Sequence, residues 1–178
     1  RRVLLDEASH VAKDFAGKPE RSIRYLEAQL EMEPEDVNTA RSLERLYERA
    51  ERHRDLVALW SRRIGYGTEA EALATRARIA ALWLDPIGDL PNALAAVDDL
   101  AQHGGDDDAF ESLLERIAAG DERETAHPAA RQLRARYDRA GRSTDAMRLL
   151  LRGLEVVEGD DSLAALRREI AARLLAAG

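Results

Sequence analysis

Apolar residues recur along the chain at alternating spacings of three and four, which is the period of an amphipathic helix. Leu43, Leu46, Tyr47 and Ala50 form one such group, and no stretch of useful length alternates with the two-residue period of a strand. Glycine and proline residues separate the groups and mark turns. The pattern predicts about ten helices, near residues 2–16, 19–32, 36–51, 53–65, 69–84, 90–103, 107–119, 125–140, 142–158 and 161–177.

Several predicted helices begin with residues that suit the free N–H groups of a first helical turn. Side-chain oxygens of Asp and Thr accept from these groups, and the predicted N-caps are Asp36, Thr68 and either Asp160 or Asp161. Pro19 and Pro91 also fit a first turn, because the N–H that proline lacks would have no partner there. The loops are short, so we expect each helix to run antiparallel to the next.

Large residues recur late in certain helices, which indicates an internal repeat. Tyr47, Trp83 and Tyr137 each occupy this place, and each follows a Leu or Ile by four residues. The helices that follow or precede them carry a second set of anchors, which are Ser22 and Leu26, Leu56 and Trp60, Ala93 and Val97, and Ala146 and Leu150. The chain is therefore predicted to consist of helix pairs, with room for one additional helix at 107–119.

The pair around Tyr137 shows why these offsets are fixed. We expect Tyr137 to fill the gap between two helices and Gly141 to relieve the backbone at the tight turn. Ala146 is small because the two helices cross closely there, and Leu150 fills the space beneath the next repeat. These are the requirements of a helical hairpin that stacks on copies of itself.

This arrangement resembles the tetratricopeptide repeat, and the best match comprises Leu133, Tyr137, Gly141, Ala146, Leu150 and Gly153. Glu51 stands where the family has a turn glycine. The resemblance implies an all-α, right-handed superhelical solenoid of antiparallel helix pairs, formed by a single domain over 1–178. Its repeats would lie near 1–34, 36–67, 69–104 and 125–159, with the extra helix at 107–119 and a further repeat or a cap at 161–177.

The last predicted helix has the pattern of a first helix whose partner is missing. The matching residues are Ile170, Ala171 and Leu174, against Ile79, Ala80 and Trp83. We therefore expect the native protein to continue past Gly178. A polar outer face on 161–177 would instead make this helix a cap.

Composition restricts the classes of function. The net charge of −7 disfavours nucleic-acid binding, which gains from a positive field. The chain has no cysteine, which excludes disulfides, thiolate nucleophiles and cysteine-ligated zinc. No apolar run approaches the ~20 residues of a membrane span, and the first residues lack the pattern of a signal peptide. We therefore expect no membrane insertion and a cytoplasmic location.

Residues that could carry chemistry are scattered, and the sequence predicts no catalytic, cofactor-binding or metal-binding residue and no enzyme. The four histidines are His10, His53, His103 and His127, and they fall in different repeats. The acidic stretch GGDDDAF at 104–110 fits a helix start better than a cation site, because it lacks further oxygen ligands. Trp60 and Trp83 occupy core positions of the repeat, which favours packing over a ligand platform.

Arginines offer the strongest binding hypothesis. Arg41, Arg45 and Arg49 follow one another at intervals of four and form one stripe, and further candidates are Arg76, Arg78, Arg131 and Arg139. The family resemblance implies that first helices line a concave groove, where guanidinium groups would grip the carboxylates of a peptide. The alternative is a solvated face on which these arginines are interspersed with Glu44, Glu48 and Glu51.

Three functions follow, in decreasing order of support. The first is a non-catalytic protein-interaction scaffold that binds a peptide or partner protein, of acidic character, in its groove. The second is a structural or regulatory spacer in a larger multidomain bacterial protein whose activity lies elsewhere. The third is a hydrolase or an RNA-binding helical repeat. Self-association through the ends of the array is a further expectation, because cut ends expose apolar faces.

Overall fold

The computed structural model describes residues 19–120, 123–156 and 160–177, and these residues form an all-α fold without a strand. The nine helices of this part of the chain are α1 (Pro19–Met32), α2 (Val37–Arg49), α3 (His53–Arg63), α4 (Glu69–Leu84), α5 (Leu90–Gln102), α6 (Asp108–Ala118), α7 (Arg123–Arg139), α8 (Ser143–Val156) and α9 (Asp160–Ala177). A 3-10 turn at Ile64–Tyr66 follows α3. The nine agree with the prediction within a few residues, and the helix predicted at 2–16 lies outside the described residues.

Two of the predicted caps are confirmed. The Asp36 carboxylate accepts from the backbone N–H groups of Asn38 and Thr39 at the start of α2. Thr68 and Glu71 form a reciprocal capping box at the start of α4, which satisfies two otherwise free donors. The third predicted cap, Asp160 or Asp161, stays a prediction, because the start of α9 borders residues outside the described ranges.

Contacts between helices follow the order of the chain. Helices that are adjacent in sequence pack together, and in the described ranges the backbones of α4 and α6 and of α5 and α7 also approach closely. Ion pairs join further helices, since Arg173 of α9 binds Asp138 of α7. In repeat proteins each unit contacts mainly its neighbours. The described helices therefore share this linear pattern of contacts.

Two apolar clusters form the core. The first is built by α1 to α4 around residues such as Ile23, Leu43 and Leu56, and the second by α4 to α8 around residues such as Leu114 and Leu133. The partly buried side chains of Trp83 and Ala96 pack against both clusters and join them. Trp60 is 5% exposed, so the structure places both tryptophans in the packing positions predicted for them.

The hairpins α2–α3 and α7–α8 reverse direction by the same backbone geometry. The N–H of Arg52 donates to the carbonyl of Tyr47, and the N–H of Arg142 donates to the carbonyl of Tyr137. Between them, Glu51 has φ 53° and Gly141 has φ 69°, in the left-handed region that favours glycine. Gly141 therefore relieves the backbone as predicted, and Glu51 adopts a conformation that is costly for a residue with a side chain.

Replacing Glu51 with glycine is expected to raise the free energy of unfolding by about 0.5–1 kcal/mol, because relief of the left-handed backbone outweighs the greater freedom of glycine in the unfolded chain. The reverse change, Gly141→Ala, is expected to lower it by about 1 kcal/mol through backbone strain alone, since a Cβ there meets open space. Urea denaturation of both variants measures the two effects. A destabilised Glu51→Gly variant would contradict this account.

Candidate functional site

Three arginines line the exposed face of α2. Arg41, Arg45 and Arg49 are all exposed and lie one turn apart, while the opposite face of the helix buries Leu43 and Tyr47 in the first apolar cluster. Among the described residues, none of the three makes an ion pair with a carboxylate, and Arg45 donates only to the backbone oxygen of Arg41 at 3.3 Å. The stripe predicted from the sequence therefore exists as a surface of adjacent cations.

Several other arginines of the chain are held by carboxylates within the fold. Arg52 contacts three acidic side chains, and Arg136, Arg142 and Arg173 contact two each. The chain carries 34 acidic and 27 basic side chains, so acidic partners are in excess. Like charges four residues apart on a helix repel one another. The three arginines of the stripe therefore repel one another, although the chain contains enough carboxylates to pair with them.

The stripe borders the neighbouring helix α4. Hydrogen bonds from Thr68 lower the pKa of Glu71, and the charge of Arg41 adds to the effect, which places Arg41 near the start of α4. At the other end of α2, Glu48 lies 3.9 Å from Arg78. The guanidinium of Arg78 also stacks on the ring of Trp60 at 3.9 Å. Arg78 is thus engaged within the fold while it flanks the stripe.

The remaining predicted arginines do not join this surface. Arg76 is bound to Asp99 at 2.9 Å with its side chain 14% exposed, so it braces α4 against α5. Arg131 and Arg139 lie on α7, which makes no contact with α2 in the described structure. Arg131 is exposed, and Arg139 lies 3.9 Å from Asp106. The structure therefore brings together Arg41, Arg45 and Arg49, with Arg78 beside them, and places Arg76, Arg131 and Arg139 elsewhere.

The sequence did not predict a network of hydrogen bonds and ion pairs around Tyr47. The hydroxyl of Tyr47 donates to Glu27 Oε1 at 2.7 Å, and the guanidinium of Arg52 lies 5.1 Å from the centre of the tyrosine ring. Arg52 in turn binds Asp55 at 2.6 Å and Glu20 at 3.4 Å. This first tyrosine cluster ties α1, α2 and α3 together.

The same network occurs a second time in α6, α7 and α8. Tyr137 donates to Glu115 Oε1 at 2.7 Å, and the guanidinium of Arg142 lies 4.3 Å from the ring centre. Arg142 binds Asp145 at 2.9 Å and Glu111 at 2.5 Å. Each partner of this second tyrosine cluster matches a partner of the first, so α6–α7–α8 repeats the packing of α1–α2–α3.

A signal for this duplication is present in the sequence. The stretch YERAERHRD at 47–55 and the stretch YDRAGRSTD at 137–145 share Tyr, Arg, Ala, Arg and Asp at the same positions. The sequence prediction matched only the apolar anchors and therefore missed the polar ones. The acidic partners on α1 and α6 show no such pattern, since their pairing becomes visible only when the helices are packed.

The chemistry of the clusters is structural. Burial and the hydrogen bond to a glutamate raise the pKa of Tyr47 and of Tyr137 well above its ordinary value. Both phenols therefore stay protonated and donate to their glutamates at neutral pH. Hydrogen bonds to two carboxylates raise the pKa of Arg142 further, so its charge is permanent.

Asp107 of the acidic stretch and His103, which were also candidates for chemistry, make hydrogen bonds within the fold. Asp107 caps α6 by accepting from the N–H of Phe110 at 2.9 Å, as expected for a helix start in the acidic stretch. His103 Nδ1 lies 2.8 Å from the carbonyl of Asp99, and His10 lies outside the described residues. In the described ranges, no group of three potential ligands converges as a metal site would require, and no helix is long and apolar enough to cross a membrane.

Comparison with known proteins assigns neither a family nor a function to the chain. Neither a protein-family model, nor a curated protein, nor a solved structure matches the chain. Among the predicted binding residues in the described part of the chain, Arg41, Arg45 and Arg49 form one exposed stripe on α2.

Proposed function

We propose that this protein is a non-catalytic scaffold that binds a peptide or partner protein through Arg41, Arg45 and Arg49. The observation that carries the proposal is the stripe itself, three exposed cations at successive turns of α2 that make no ion pair with a described carboxylate. Repulsion within the stripe is relieved when an acidic segment binds, because each guanidinium then gains an opposite charge.

The chemistry of the stripe suits the carboxylates of a protein partner. A guanidinium presents a planar fork that matches a carboxylate in two parallel hydrogen bonds. Successive arginines one turn apart suit acidic side chains spaced along a helix or an extended segment. A nucleic acid would also meet these cations, but the overall charge of −7 repels a long polyanion and disfavours it.

We also propose that the described helices form a tetratricopeptide-like, right-handed superhelical solenoid with α2 on its concave side. Two features support this arrangement. Contacts follow the chain order, as in other repeat arrays, and the two tyrosine clusters repeat one hairpin geometry. In such an array the stripe of α2 would line the groove that receives the partner segment.

A second candidate function is a rigid spacer within a larger protein. The observation that favours it is that most of the other predicted arginines contact side chains of the same chain. Arg76 is bound to Asp99, Arg78 stacks on Trp60, and Arg139 lies near Asp106. A spacer needs such braces and no ligand. The two functions differ in whether the stripe of α2 has an occupant.

The triple variant Arg41→Glu, Arg45→Glu, Arg49→Glu is expected to weaken partner binding at least tenfold, because it replaces attraction by repulsion at each position. The partner is first captured with the wild-type chain from a lysate of the source organism and then purified for titration. The matched control changes three exposed arginines on other helices that make no described ion pair, Arg62, Arg152 and Arg168, to glutamate.

Both triple variants have the same net charge, so they separate the stripe from overall electrostatics. Loss of binding in the α2 variant alone supports the proposal. Equal loss in both variants would assign binding to bulk charge, and a partner that is indifferent to the α2 variant would place the site on another face. Circular dichroism of both variants checks that each is folded.

A further inference from the structure

Two adjoining cavities lie among α1, α2 and α3, and none of the three stripe arginines lines them. The first has a volume of about 400 Å³ and is lined by residues of all three helices, which include Leu30 and Leu59. The second has a volume of about 580 Å³ and lies at the turn between α1 and α2. Pro34 and Tyr66 line both cavities, so the two share one wall.

Arg63 braces this shared wall. Its guanidinium donates to the backbone carbonyl of Pro34 and lies 5.4 Å from the centre of the Tyr66 ring. The contact joins the turn before α2 to the turn after α3. Arg63 is thereby engaged within the fold, and Arg62, the other cation of the first cavity, donates to the carbonyl of Ala58 at 3.4 Å.

Apolar side chains are exposed at the cavities. Val37 is 49% exposed and Tyr66 is 50% exposed, and both line the second cavity. The first cavity reaches inward to the buried side chains of Leu43 and Leu59. Removal of apolar surface from water is favourable. A ligand with an apolar side chain therefore gains by covering Val37 and Tyr66.

Carboxylates dominate the polar part of the lining. The two cavities are lined by six acidic side chains and two basic ones. Glu27 and Asp55 are bound within the first tyrosine cluster. Glu31 in the first cavity and Glu35 in the second are exposed, and neither makes an ion pair with a residue that the structure describes. Each cavity thus presents a carboxylate that suits a cationic ligand.

The separation of these two carboxylates sets the spacing of the ligand. Glu31 and Glu35 lie on either side of the turn at Pro34, and four residues of chain span at most about 14 Å. In an extended segment, residues i and i+4 lie on one face at about this distance, with residue i+2 between them. Flexible lysine stems accommodate a shorter separation. Two basic residues around an apolar one therefore match the two cavities.

The chain itself does not supply this basic ligand from the described ranges. Arg62 and Arg63 are the cations that line the cavities there, and both donate to backbone carbonyls. The 18 residues before α1 carry four basic and three acidic side chains, so their charges nearly cancel. A basic segment of another protein is the better complement to six carboxylates.

We propose that the two cavities among α1, α2 and α3 bind an extended segment of a partner protein that carries two basic residues around an apolar one. The basic groups bind Glu31 and Glu35, and the apolar side chain covers Tyr66. The methylene stems of the basic residues lie on Leu30 and Val37. This site takes a basic ligand and the arginine stripe takes an acidic one, so the two proposals stand or fall separately.

The peptide GKALAKG with blocked ends tests the proposal, because its two lysines and its leucine share one face when it is extended. It is titrated at low salt into the isotopically labelled full chain, and the backbone amide shifts are followed by NMR. We expect saturable changes at Glu31, Glu35, Val37 and Tyr66. The amide of Ala95, which is exposed on α5, should not shift.

The double variant Glu31→Lys, Glu35→Lys is expected to weaken binding of GKALAKG at least tenfold, because it replaces attraction by repulsion at both positions. Both side chains are exposed, so the fold should tolerate the change. The matched control Glu69→Lys, Asp108→Lys has the same net charge and alters two exposed acidic residues without a described ion pair. It should weaken binding less than about threefold, since distant surface charges are screened.

A charge-reversed peptide, GEALAEG, completes the test. It should bind the Glu31→Lys, Glu35→Lys chain and leave the shifts of the wild-type chain unchanged. This recovery requires a folded variant with an intact site, so it separates loss of the contact from loss of the fold.

Three results would overturn the proposal. They are no saturable change with GKALAKG up to about 1 mM, equal weakening in the two double variants, and no binding of GEALAEG to the Glu31→Lys, Glu35→Lys chain. Because the peptide is added to the full chain, cavities already filled by another part of that chain would give the first of these results. Sedimentation covers the remaining occupant, since a dimer that dissociates in the Glu31→Lys, Glu35→Lys variant would assign the cavities to a second copy instead.

Discussion

Replacing Leu133 with alanine is expected to lower the free energy of unfolding by about 3 kcal/mol, within the range known for buried leucines. Leu133 is 1% exposed and belongs to the second apolar cluster, where α7 packs beside α5 and α6. The change removes apolar burial and leaves a cavity that the surrounding helices can fill only in part. Urea denaturation followed by circular dichroism measures the loss.

The matched control is Leu175→Ala. Leu175 is 84% exposed on α9, so its truncation should change the free energy of unfolding by less than about 0.5 kcal/mol. Equal losses at the two leucines would contradict the assignment of Leu133 to the core. A loss below about 1 kcal/mol at Leu133 would show that the helices close the cavity.

Removing the hydroxyl of Tyr137 by changing it to phenylalanine is expected to cost about 1–2 kcal/mol, and Tyr47→Phe should cost a similar amount. Each hydroxyl donates at 2.7 Å to a glutamate on the preceding helix, and a hydrogen bond to a charged acceptor is stronger than a neutral one. The expected loss of stability is no larger because each glutamate is partly exposed to water. Tyr66→Phe, at a 50% exposed tyrosine, is the control.

Alkaline pH tests the same two hydroxyls without changing the core. The pKa of Tyr47 and of Tyr137 is raised in the folded chain, mainly by burial and then by the glutamate, while the unfolded chain ionises near pH ~10. The unfolded state therefore loses protons first, and the free energy of unfolding falls as pH rises above about 10. A double Tyr→Phe variant should show a shallower fall, and an unchanged slope would contradict the pKa shifts.

The helices and several of their details were predictable because they depend on local chemistry. The period of apolar residues gave the nine described helices, the side chains of Asp36 and Thr68 gave two caps, and Gly141 marked a left-handed turn. Each of these features is determined within one turn of the helix. At the start of α9 local chemistry leaves the choice open, since adjacent Asp160 and Asp161 both fit a cap.

The ion pairs were not predictable, because they join residues that are far apart in the chain. Arg76 and Arg41 look alike in the sequence, yet packing gives Arg76 an ion pair with Asp99, whereas Arg41 makes no ion pair with a described carboxylate. The acidic partners of the tyrosine clusters likewise depend on how α1 and α6 lie against their neighbours. Which arginines remain available for a ligand is therefore a property of the packed helices.

Site-specific photocrosslinking from α2 tests the central claim that the arginine stripe receives a partner protein. A photoreactive benzoylphenylalanine replaces Asn38, which is exposed one turn before Arg41, so that all three arginines are retained. A second chain carries the same group at Ala95, which is exposed on α5. We expect a cross-linked segment rich in Asp and Glu from position 38 and not from position 95. Failure to capture any protein from position 38, or capture of the same segments from both positions, would contradict the claim.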